Sequence, residues 1–115
     1  MPISRTRADR FDDLVLDAVE RLEHRWADQL RGVEFAVEDV PSAAGTSEEP
    51  APLARLLPAQ GDVPPRIVLY RWPIETRVPD RTELAALVHE LVVEQVAELL
   101  GAEPREVDPH YPDEE

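Results

Sequence analysis

The residues best suited to chemistry lie in Leu87–Val96, LVHELVVEQV. His89 offers an imidazole nitrogen to a metal ion, and Glu90 a carboxylate able to take a proton from metal-bound water. That pairing works when a helix presents a second donor three or four positions from the histidine, because only those side chains share its face. Here those positions hold Ala85, Ala86, Val92 and Val93, and none of the four has a lone pair to give. Glu94, five residues on, sits about 140° away around the helix, too far round to close the same site. Local geometry leaves His89 alone. No metal ligation by His89, no catalytic role for Glu90 and no cofactor are expected from these residues.

The other donors do not repair this. The chain has no cysteine, which removes disulfides, thiolate metal sites and cysteine nucleophiles together. His24 falls off the apolar stripe of its helix, beside Glu20, and reads as solvated. His110 stands in the acidic stretch at the end of the chain, where a third ligand is conceivable but a solvated histidine is the expectation. With a formal charge of −13 over 115 residues, the surface lacks the basic field that nucleic acid requires. A protein partner, in particular a basic extended peptide, suits it better. No window approaches the ~18 apolar residues of a membrane span, so neither a membrane nor nucleic acid is expected as partner, and a cytoplasmic location is.

The elements that must position His89 are legible in short windows. Thr6 and Asp9 fit a capping box, and Phe11, Leu14, Val15, Ala18, Leu22, Trp26 and Leu30 follow at helical spacing until Gly32. Val33–Glu38 alternates as a half-buried strand with Val33, Phe35 and Val37 inward. Residues 41–65, rich in Pro, Ser, Gly and Ala, read as a long mobile connection in which only LARLL offers a short edge strand or helical turn. Arg66–Trp72 is apolar on both faces, as a central strand is, and Pro73 interrupts it. After Pro79, Asp80 and Glu83 fit a second capping box that opens a second helix, about 81–100, closed by Gly101.

That second helix is apolar over more than half its circumference, which predicts burial between the sheet and the first helix. Residues 104–115 carry three prolines and five acids against one arginine, and read as a disordered acidic tail on a single domain of residues 1–103. The expected fold is α+β: two long helices packed on a small sheet of two or three strands.

The order helix, strand, long connection, strand PRIVLYR and final helix with LVHE resembles the small bacterial zincin-like metallopeptidases, over about residues 9–101. The family's final helix resembles H-E-x-x-H-x-x-G with an Asp three residues after the Gly. Position by position, His89 matches the first zinc ligand and Glu90 the general base. Val93 replaces the second ligand, Val96 the glycine that lets the chain leave the helix, and Leu99 the third ligand. The resemblance therefore implies a zincin-like core in which His89 and Glu90 are vestigial. The function it implies is a catalytically inactive homologue serving as a protein- or peptide-binding or regulatory module. Two alternatives stand beside it: a zinc metallopeptidase completed from elsewhere, such as by His110 or a partner chain, and a small acidic adaptor unrelated to peptidases. Zincins hold substrate as an added strand, so the expected binding surface is the strand with Tyr70 and Trp72.

Overall fold

A computed structural model of the chain describes residues 6–41 and 51–112. Thr6 opens α1 (Arg7–Leu30): its hydroxyl oxygen accepts from the Asp9 N–H at 3.0 Å, and its own N–H donates to the Asp9 carboxylate at 3.3 Å. The stripe Phe11, Val15, Ala18, Leu22 and Leu30 is buried, with Leu14 and Trp26 packed against it. The backbone leaves helical geometry at Trp26, and Gly32, at φ 84°, turns the chain into β1 (Glu34–Glu38).

Among the described residues the sheet has three strands in the order β1-β3-β2, with β2 at Ala54–Leu57 and β3 at Arg66–Tyr70. β1 runs parallel to β3 and β2 antiparallel, and the registers Phe35↔Ile67 and Leu56↔Ile67 set three apolar side chains abreast on the helix-covered face. Ile67, Val68, Leu69 and Tyr70 are all buried, as expected of a central strand apolar on both faces.

Three expectations change. Within residues 51–65, LARLL supplies the short edge strand that was one of its two expected forms, β2, but the rest is not a structureless connection: it makes a hairpin into β3, with Gln60 and Val63 exchanging backbone bonds around Gly61 (φ 58°) and Asp62. The turn needs a positive φ that glycine adopts freely, and that glycine was in the sequence between two short apolar runs. The remainder of the expected connection, 42–50, lies outside the described residues. The central strand ends at Tyr70, and Trp72 belongs to α2 (Arg71–Arg77). Pro73 is the third residue of that helix, where the N–H has no intrahelical acceptor to lose, so it permits the helix instead of breaking the chain.

The third change concerns the chain end. Beyond α3 (Arg81–Leu100) and Gly101, at φ 68°, residues 104–107 form a short helix, α4 (Pro104–Val107), and the segment to Pro112 packs on the domain. Val107 is 2% exposed and Tyr111 is packed against the core. The acidic composition concealed two apolar side chains four residues apart, enough to dock the segment. Residues 113–115 lie outside the description.

α3 occupies the centre. Asp80 caps it by accepting from the Glu83 N–H at 3.0 Å. The helix touches α1 on one side and β2 and β3 on the other, and Val88, Val92, Val93 and Val96 are fully buried. The fold is α+β. No helix among the described residues is long and apolar enough to cross a membrane.

Candidate functional site

His89 projects from α3 toward the segment that follows α4. Its Nε2 lies 2.8 Å from Oδ2 of Asp108, and both side chains are mostly buried. The second carboxylate oxygen, Oδ1, accepts from the backbone N–H of His110 at 3.0 Å. Burial alone would raise the Asp108 pKa. The bonds from His89 and the His110 N–H, together with the nearby imidazole charges, outweigh that and hold the carboxyl below its usual 3.8. The other imidazole nitrogen, Nδ1, is buried and has no hydrogen-bond partner among the described residues. The Asp108 bond therefore orients the ring by itself.

Two further bonds hold the segment against the helices. Trp26, at the irregular turn of α1, donates from Nε1 to the Val107 carbonyl at 2.9 Å. The Tyr111 hydroxyl donates to the Glu94 carboxylate. Together α1, α3 and residues 107–112 enclose an open groove of about 620 Å³, with His89 and Glu90 on one wall and Asp108 and His110 on another. His110, expected in solvent, thus lines the same groove as His89, although it is itself exposed. His24 is exposed on α1.

Asp108 is the residue that sequence reasoning missed. It lies 19 residues from His89, beyond the reach of any helical-spacing argument. The available signal was the V-D-P-H-Y-P run itself, in which Val107 and Tyr111 bracket the acid.

The donor set can be tested against zinc. A zinc site takes about three protein ligands converging on one point. Val93 is fully buried in the apolar core and Leu99 is packed against it. Among the described residues no three His, Asp or Glu side chains are grouped to hold one metal ion. The described residues do not fit a three-ligand centre.

The other expected surface is also rearranged. β3 is flanked by strands on both sides, so Tyr70, only 5% exposed, presents no free edge. Trp72, 52% exposed, stands at the start of α2 beside the end of β1, its N–H bonded to the Asp39 carbonyl at 3.0 Å. There Arg71, largely buried, pairs with Asp39 at 3.1 Å and Glu75 at 3.2 Å. The free edges among the described residues belong to β1 and β2.

A comparison with curated proteins finds no match. A family model does match: residues 16–113, which include the whole sheet, α3 and the Asp108 segment, correspond to the zincin-like metallopeptidases. That match sets aside the reading of an adaptor without peptidase ancestry. By this match, which covers most of its length, the chain belongs to the zincin-like metallopeptidase family.

Proposed function

We propose that this member of the family is a catalytically inactive homologue that works as a protein- or peptide-binding module. The observation that carries the reading is the fate of His89. Its Nε2 is held by Asp108, while the helical positions that the resemblance assigns to the other ligands carry Val93 and Leu99.

The partner proposed is a basic extended segment. Among the described residues β1 is an edge strand, so alternate backbone N–H and C=O groups along it face outward without a strand partner there. Adding a strand there needs no metal. Glu34, Glu38 and Asp39 are exposed along that edge, and Trp72 stands at its end. Arginine side chains on the added strand would meet carboxylates and an aromatic face. Amide-shift mapping with an arginine-rich extended peptide tests this. Shifts clustered on residues 34–39 and the Trp72 indole are expected. Shifts confined to the exposed acids of α1, or spread evenly over the surface, would mean nonspecific charge attraction.

The second reading, a zinc enzyme with unusual ligands, draws on one observation: the fold brings Asp108 and His110 to the groove of His89. Metal analysis of protein purified without added zinc separates the two readings. One equivalent of zinc lost in His89→Ala favours the enzyme.

A further inference from the structure

The groove beside His89 carries two charges that neither the family's chemistry nor the strand edge uses. Arg21 and Arg25 border it from the same face of α1, one turn apart. Both are exposed, and neither has a carboxylate partner among the described residues. That is unexpected in a chain of formal charge −13, where arginines are outnumbered by acids. Arg25 lies over the Trp26 ring, 5.3 Å from its centroid, which limits the directions its guanidinium can take.

Below the arginines the walls are small and apolar. Leu14 and Ala18 on α1 face Ala85 and Ala86 on α3, and the alanines leave room where larger side chains would have filled the groove. A groove of about 620 Å³ falls within the range of sites for small organic ligands or a few peptide residues.

We propose that this groove captures the C-terminal residue of a peptide, its free α-carboxylate on Arg21 and Arg25 and its apolar side chain against Ala18, Ala85 and Ala86. Paired guanidinium groups suit a planar carboxylate, which they can bind in bidentate fashion. Asp17 and Glu90 on the same walls oppose a phosphate dianion but accept from peptide N–H groups, which a fatty acid does not offer. Asp108 does not compete for the arginines because His89 and the His110 N–H already hold both its oxygens. This surface is separate from the β1 edge and stands or falls independently of the strand-binding reading.

The test uses the full chain with three probes: an acetylated hexapeptide ending in Ala-Leu with a free carboxylate, the same peptide as its C-terminal amide, and decanoate. Calorimetry and amide-shift mapping should find the acid bound, with shifts at residues 85, 86, 89 and 111, and the amide bound about tenfold or more weakly. The double variant Arg21→Gln/Arg25→Gln should lose the same factor for the acid and little for the amide. Ala86→Trp, at an exposed helical position, should abolish binding with both arginines present. Unchanged unfolding midpoints of these surface variants establish that they fold. Equal binding of acid and amide, full binding by the double variant, or no peptide binding at millimolar concentration overturns the proposal. So does binding of decanoate alone. Binding that emerges only after deletion of residues 113–115 also overturns it, because the chain's own acids would then be the occupant.

Discussion

Asp108 Oδ2 meets His89 Nε2 at 2.8 Å across a gap of 19 residues, joining the central helix to the final segment of the chain. The contact gives a partner to a mostly buried imidazole that nothing on its own helix can satisfy. Replacing Asp108 with alanine would leave both imidazole nitrogens without a partner. The expected cost is about 1–3 kcal/mol, the usual penalty for stranding a buried polar group. Urea denaturation at pH 7 measures it, and a change under 0.3 kcal/mol would show the pair to be energetically idle.

The pH dependence of that contribution has a definite sign. The Asp108 carboxyl titrates below its usual 3.8 in the folded protein, so the unfolded chain binds the proton more readily. Its stabilisation is fully present above about pH 5 and is lost as pH falls through the folded value. In Asp108→Asn this part of the acid-induced loss of stability should vanish. Wild type and variant stabilities should therefore converge toward pH 2, and parallel curves from pH 7 to 2 would contradict the assignment.

Removing residues 104–115 should destabilise the domain by about 2–4 kcal/mol. Val107 leaves a buried position, Trp26 loses its indole bond and His89 loses Asp108. Trp26 should also shift its fluorescence to the red as water reaches the indole. An unmoved denaturation midpoint would mean that the segment does not contribute to folding.

Val93 is fully buried in the core, so Val93→Ala should cost about 1–3 kcal/mol through lost burial and a small cavity. Val93→His is the sharper experiment. It restores a helical i, i+4 histidine pair but not a third ligand, since Leu99 remains. No zinc-dependent peptide cleavage is expected, and measurable activity would reveal a ligand supplied by another part of the protein.

Zinc or a chelator should leave the melting temperature of the wild-type chain unchanged, because a zinc centre in favourable cases contributes on the order of 10 kcal/mol and would be conspicuous. A zinc-dependent rise of several degrees that disappears in His89→Ala would refute the inactive reading.

What the sequence determined by itself are the features governed by neighbours in the chain. The Thr6–Asp9 box, the stripe of α1, Asp80 as cap, Gly101 as stop and the two-faced apolar run of β3 each depend on a few consecutive residues, and each is where local physics puts it. The isolation of His89 on its own helix was legible for the same reason: helical spacing decides which side chains share a face. The tertiary structure alone decided what His89 touches. Asp108 reaches it only because Gly101 reverses the chain and because burial of Val107 and the Trp26 bond offset the entropy of ordering a proline-rich, acidic segment. Composition averaged over that segment hides the two apolar side chains that anchor it. Strand order is of the same kind: β1 pairs parallel to β3 across the intervening β2 hairpin, a contact between residues about thirty positions apart that no short window of sequence specifies.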